Sequence, residues 1–237
     1  MEKKNKIILI VTVILTICVI GLVIYSVINN KNKEESDAVK FRNEYMELND
    51  KVSPYGSAYI NVSVSENNTV EYLTEKEAVK LLEKGTGLIY FGFSGCPWCR
   101  NLVPILTDLA EELEEPVYYL DILNIRSKFE LKDGKLNKIS DGSENYYKIL
   151  KALDKELEDY YLTDEAGNQY DTGEKRLYAP TIVAVQDGKI KGIHVGTIET
   201  QENPAEELTS KQRSEIETII TKLIKSKNEG ICTKGSC

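Results

Sequence analysis

Two cysteines three positions apart, Cys96 and Cys99, stand where an apolar run, Leu88-Ile89-Tyr90-Phe91-Gly92-Phe93, gives way to a helical pattern. A dithiol at the start of a helix is reactive, because unpaired backbone N–H groups and the positive end of the helix dipole stabilise the thiolate of the first cysteine. Cys96 is the expected attacking sulfur. Cys99, one turn further in, is placed to attack a mixed disulfide on Cys96 and release the partner. No cofactor is needed beyond this redox-active disulfide. Half of a zinc site is the competing use of such a pair. Against it, this pair sits at a strand-to-helix junction, and the chain's other close pair, Cys232 and Cys237, has four intervening residues and is far away in sequence. No metal is expected.

Two prolines shape the same helix. Pro97 suits the first turn, where its missing N–H costs nothing and its fixed φ favours helix formation. Pro104 falls inside the apolar stretch Leu102 to Leu113, where it should free the carbonyl of Arg100 and bend the axis.

The run from Phe91 through Cys96-Pro97-Trp98-Cys99-Arg100, with Pro104 five residues after the second cysteine, resembles the active-site strand and kinked helix of the thioredoxin family. That family's second mark is a cis-proline opening a later strand and facing the dithiol. Tyr178-Ala179-Pro180-Thr181, an apolar strand and an Asp187-Gly188 turn match it. The resemblance implies a cis bond before Pro180 and a substrate strand held by Ala179 and Pro180 through β-augmentation, with Trp98 as a further substrate contact. Many thioredoxins carry a buried Asp six residues before the first cysteine; here that position is Tyr90. A phenol that titrates near pH ~10 cannot serve as that carboxylate. Either a water or another carboxylate substitutes, Asp121 being the nearest candidate, or proton transfer at Cys99 is slower. The lone histidine, His194, reads as a packing or surface residue.

Around these anchors the expected fold is α/β, a mixed central sheet flanked by helices with a helical insertion. Val70 to Leu73 reads as a short edge strand. Thr74 with Glu77 caps a first helix that stops at Gly85. Val117 to Ile122 and Ile190 to Val195 read as strands, and Thr209 with Gln212 caps a last helix. The insertion spans about 123–177 and includes an amphipathic helix from about Ser143 to Tyr160, then a polar loop from Leu162 to Arg176.

Ile7 to Ile28 is an uninterrupted apolar run, and as a helix rising ~1.5 Å per residue it is long enough for a ~30 Å hydrocarbon core. It exceeds the core of a cleaved signal peptide, and no Ala-x-Ala site follows. An uncleaved transmembrane anchor is expected. Lys3, Lys4 and Lys6 precede it, whereas Lys31 and Lys33 are diluted by Glu34 and Glu35, so the positive-inside rule puts the N-terminus in the cytoplasm and the domain outside. The expected order is a cytoplasmic 1–6, an anchor at 7–28, a linker at 29–40, an N-terminal extension at 41–69, the main domain at 70–228 and a cysteine-containing tail at 229–237.

Outside the cytoplasm disulfides persist, so the expected partners are exported proteins or peptides and an electron donor or acceptor in the membrane or beyond it. The chain has 30 Lys and Arg against 38 Asp and Glu, and the basic N-terminus leaves the remainder more acidic still. Nucleic-acid binding is disfavoured. Cys232 and Cys237 have three open readings: a structural disulfide, a second redox pair that exchanges with Cys96 and Cys99, or a metal site.

Among thioredoxin-like groups, the Gly-Cys-Pro-Trp-Cys sequence after an apolar strand and the later Ala-Pro are similar to bacterial bacteriocin-transport accessory proteins. This implies a single-pass protein of a bacterial cell membrane acting in the disulfide chemistry of exported peptides. The Pro-Trp pair between the cysteines matches neither the Gly-Pro of reducing thioredoxins nor the Pro-His of strong oxidants. Trp98 supplies no imidazolium, which tilts the expectation toward reductase or isomerase. The alternative is a non-catalytic accessory module for peptide export on the same scaffold.

Overall fold

The computed structural model describes residues 14–21 and 35–227. The chain divides into two units, Met1–Ser36 and Asp37–Cys237. In the first, residues 14–21 are helical with exposed side chains. The rest of the Ile7–Ile28 segment lies outside the described residues, and among those described no helix is long and apolar enough to cross a membrane.

The second unit is a mixed α/β structure. It opens with helix α1 (Asp37–Met46), followed by β1 (Val70–Tyr72), α2 (Glu75–Lys84), β2 (Gly87–Gly92), α3 (Pro97–Glu112) and β3 (Val117–Asp121). A hairpin, β4 (Lys128–Lys132) and β5 (Lys135–Ser140), precedes α4 (Glu144–Ala152), and a second hairpin, β6 (Asp159–Thr163) and β7 (Gln169–Lys175), follows it. The chain then completes the main sheet with β8 (Thr181–Gln186) and β9 (Lys189–Val195) and closes with α5 (Ser210–Ser226).

The main sheet has the order β1-β3-β2-β8-β9. Strands β1, β3 and β2 are parallel; β8 runs antiparallel to β2, and β9 antiparallel to β8. β2 lies in the middle because every residue of Gly-Leu-Ile-Tyr-Phe-Gly is buried, the pattern of a strand covered on both faces. Its alternation divides the core. Leu88 and Tyr90 face a cluster built with α1, α3 and α5, including Phe41, Leu102 and Ile220. Ile89 and Phe91 face the other cluster, with Leu82 of α2 and Tyr146 and Ile149 of α4.

Local signals set the helix ends. Thr74 and Glu77 form a capping box at α2, and the N–H of Gly85 closes that helix onto Leu81. Thr209 and Gln212 form the same box at α5. The Asp187-Gly188 turn between β8 and β9 has both residues at positive φ, 49° and 71°, the arrangement that matches strand twist in a two-residue hairpin.

Three boundaries differ from the sequence expectations. The linker expected at 29–40 is already helical at Asp37; the extension at 41–69 packs on the domain, with Phe41, Tyr45, Val62 and Val64 in its core. The helix expected from Ser143 to Tyr160 ends at Ala152, passes through a short 3-10 turn at Asp154–Glu156 and becomes strand β6, which contains Tyr160. The polar loop expected from Leu162 to Arg176 is largely the rest of that hairpin, so the insertion is mixed and not simply helical. Its other hairpin turns on Asp133-Gly134, both at positive φ, a signal present in the sequence and overlooked there.

Candidate functional site

Cys96 is the N-cap of α3, with extended backbone, and its sulfur accepts the Cys99 backbone N–H at 3.3 Å. Pro97 occupies the first turn and Pro104 the helix interior. The helix starts here because Cys96 can satisfy an orphan donor with sulfur, as Ser or Asp would with oxygen. On the opposite side, the Cys96 thiol donates to the carbonyl of Ala179 at 3.3 Å, and the Ala179-Pro180 bond is cis. The two expected halves of the site therefore meet. Neither Cys96 nor Cys99 is in a disulfide.

The two thiols are driven apart in acidity. Cys96 is held below the usual thiol range, first by the hydrogen bond from Cys99, then by the backbone N–H groups of Cys99 and Trp98 and the charge of Arg126, against the opposing effect of burial. Cys99 is pushed well above it, first by burial and then by its bond and repulsion with Cys96. A nucleophile and a protected second thiol result.

Tyr90 is fully buried. Its hydroxyl lies 2.8 Å from that of Tyr45. The carboxylate of Asp121 accepts the backbone N–H of Leu123 at 2.7 Å, so the carboxylate candidate is engaged in a turn, while Tyr90 packs in the same buried cluster as Cys99. His194 bonds the carbonyl of Thr197 at 2.7 Å and is held below the usual imidazole range by burial. It anchors a turn.

Two grooves flank Cys96. One, of ≈ 750 Å³, is lined by Trp98, Tyr178, Ala179 and His194 among others. The other, of ≈ 660 Å³, places Tyr55 and Tyr59 of the extension, Phe93 and Arg126 beside Cys96 and Pro97. Arg126 stacks over Phe93 at 5.2 Å, and its Nε is buried without a hydrogen-bond partner.

Arg100, next to the dithiol, is 1% exposed. It binds the carbonyls of Ile60 at 2.6 Å, Tyr45 at 2.8 Å and Ser94 at 3.2 Å, and Oδ1 of Asn49 at 2.7 Å. Helix α3 thus clamps the extension. Sequence reading did not assign roles to Tyr45, Arg126 or the clamp by Arg100, because each depends on segments far apart in the chain. Cys232 and Cys237 lie outside the described residues. No protein-family model matches the chain, and no curated protein does.

Proposed function

We propose that this chain is a thiol–disulfide oxidoreductase of thioredoxin-like fold, anchored in the cell membrane by Ile7 to Ile28 with its domain outside. Its substrates in this reading are cysteine-containing exported proteins or peptides. The observation that carries it is the position of the Cys96 sulfur, at a helix N-cap and 3.3 Å from the Ala179 carbonyl. A substrate strand laid along Ala179 brings its disulfide to the one thiol held in the more acidic state.

In the reducing direction, the Cys96 thiolate attacks one substrate sulfur; a Cys96–substrate disulfide forms, and the other substrate sulfur leaves with an electron pair and takes up a proton. Cys99 then attacks Cys96. The mixed disulfide breaks, the second substrate sulfur departs as a thiol, and the Cys96–Cys99 pair is left oxidised. The oxidising direction is the same sequence reversed. Trp98, with no charge to stabilise the thiolate, favours reduction or isomerisation, and an acidic surface favours peptide over nucleic-acid partners.

Insulin reduction by the full chain in detergent, beside its Cys96→Ser variant, tests the reading. Turnover that disappears in the variant supports it. Equal rates in both would leave a binding module for exported peptides, related in that case to the bacteriocin-transport accessory proteins by scaffold alone.

A further inference from the structure

We propose that Arg126 is a specificity-determining residue: it receives a carboxylate carried by the substrate beside its reactive cysteine, so that the preferred substrates are disulfide-bearing peptides with an acidic residue or a free chain end next to that cysteine. The inference names the substrate class of the oxidoreductase reading and rests on it.

Arg126 and Cys96 line one groove of ≈ 660 Å³, whose other walls include Tyr55, Tyr59, Phe93, Pro97 and Leu123. Among the described residues that line it, Arg126 is the sole charged side chain. The chain as a whole carries 38 Asp and Glu against 30 Lys and Arg, yet the groove at the nucleophile presents only positive charge, which selects a partner group of opposite sign. Tyr55 and Leu123 are 95% and 42% exposed. The groove therefore offers uncovered apolar surface together with one cation, the complement of a peptide segment with apolar and acidic side chains.

The cation is held in place but left unpaired. It stacks over Phe93 at 5.2 Å, and its Nε is buried without a hydrogen-bond partner. Asp121 feels its charge, but the Asp121 carboxylate accepts the Leu123 N–H at 2.7 Å and makes no ion pair with Arg126. Burial disfavours the charge, and no carboxylate among the described residues pairs with it to offset that cost. A guanidinium stacked by its face keeps its N–H edge free for the two oxygens of a carboxylate.

The backbone on both sides of Arg126 is pinned. The Ile125 carbonyl accepts the Ser143 N–H at 2.8 Å, and the Ser127 carbonyl accepts Nη1 of Arg176 at 2.7 Å. The Tyr59 wall is fixed as well: Nε of Arg100 donates to the Ile60 carbonyl at 2.6 Å, and the Tyr59 N–H to the Lys51 carbonyl at 3.0 Å. Little ordering is then required when a substrate arrives. A charge that served only the Cys96 thiolate would speed every substrate alike, whereas one that lines the groove discriminates among them.

The test uses the full chain in neutral detergent with Cys18→Ser, Cys232→Ser and Cys237→Ser, reduced and in excess over capped peptides whose single cysteine is activated as a 2-pyridyl disulfide. The Cys96 thiolate attacks the peptide sulfur, a Cys96–peptide disulfide forms, and the pyridine thiolate leaves with the electron pair and takes up a proton to give pyridine-2-thione, whose absorbance gives the rate. The residue beside the cysteine is glutamate, glutamine or lysine; in a fourth peptide the cysteine ends the chain with a free carboxylate. At low salt the glutamate peptide should react roughly tenfold faster than the glutamine peptide, the worth of a hydrogen bond between charged groups. The lysine peptide should be slowest, although the net negative charge of the chain would attract it. In Arg126→Met all rates should fall modestly with the thiolate fraction, the glutamate advantage should vanish, and lysine should overtake glutamate. Arg126→Lys should keep the order with a smaller spread, and salt should compress the spread in the parent. An advantage of the fourth peptide supports the proposal too and identifies the chain end as a source of the carboxylate. If neither carboxylate peptide outpaces the glutamine peptide in the parent, the proposal is overturned without recourse to any variant. A uniform fall of all rates in Arg126→Met, with the order kept, overturns it also. If no peptide reacts faster with the parent than with its Cys96→Ser variant, the oxidoreductase reading itself falls, which is a distinct result.

Discussion

The sulfur of Cys96 donates to the carbonyl oxygen of Ala179 at 3.3 Å, across 83 residues of chain. This contact joins the N-terminus of α3 to the segment before β8, and both sit at one end of the central sheet because β2 and β8 are direct antiparallel neighbours. Cys96 as a residue is 4% exposed, beside two grooves.

The two thiols should differ in reactivity. Cys96 lies below the ordinary thiol range, so its thiolate fraction at a given pH exceeds that of a free cysteine, and its iodoacetamide labelling should reach a plateau at lower pH. Cys99, displaced the other way and fully buried, should label only at high pH or after unfolding. Mass-spectrometric labelling from pH 5 to 10 checks this. A Cys96 profile that overlays that of a free thiol, near pH ~8.5, would contradict it.

Arg126 contributes to that acidity through its charge, and its effect is smaller than those of the hydrogen bonds to Cys96. Arg126→Met should move the Cys96 labelling midpoint modestly to higher pH, whereas Arg126→Lys should retain most of the effect. The same titration at high salt bears on the cause, since screening reduces a charge effect and leaves a packing effect untouched.

Arg100→Ala should be among the most damaging substitutions in the domain. It strips donors from three carbonyls and Asn49 and opens space beside the helix. A loss of about 3 kcal/mol or more is expected from buried acceptors left unpaired. Urea denaturation measures it, and faster proteolysis within residues 47–60 should accompany it. Arg100→Lys, with one point charge in place of a planar fork, should recover only part.

Gly188→Ala addresses the β8–β9 turn. The glycine has φ of 71°, and an added Cβ would meet the Glu83 carbonyl oxygen at 2.1 Å. Backbone cannot yield as a side chain would. Destabilisation of about 2 kcal/mol or more follows, with the left-handed conformation adding about 1 kcal/mol to the steric term. Thermal unfolding gives the value; a variant as stable as the parent would show that the turn can move.

Much of the frame was legible because its signals are short in sequence. The Cys96-Cys99 spacing, the two capping boxes at Thr74 and Thr209, the apolar run of β2 and the Asp187-Gly188 turn each involve groups a few residues apart, whose hydrogen bonds and steric limits act before any distant segment arrives. The insertion was read less well. Tyr146, Ile149, Leu150, Leu153 and Leu157 keep helical spacing, yet the helix ends at Ala152, since spacing of apolar residues records which face is covered and not how far backbone bonding continues. Leu153 and Leu157 are buried all the same, at the two ends of the 3-10 turn that leads to β6.

The local sequence was enough to place a dithiol at a strand-to-helix junction and a proline-led strand to face it. It held nothing that pairs Tyr45 with Tyr90, seats Arg100 under Ile60 or brings Arg126 to Cys96. Those contacts form only when α1, the strands and the insertion close on one end of the sheet, and a hydrogen bond between residues 45 positions apart leaves no periodicity in the chain to read. Side-chain chemistry that depends on burial follows the same rule: a tyrosine six residues before a cysteine is an ordinary phenol until packing removes water from both.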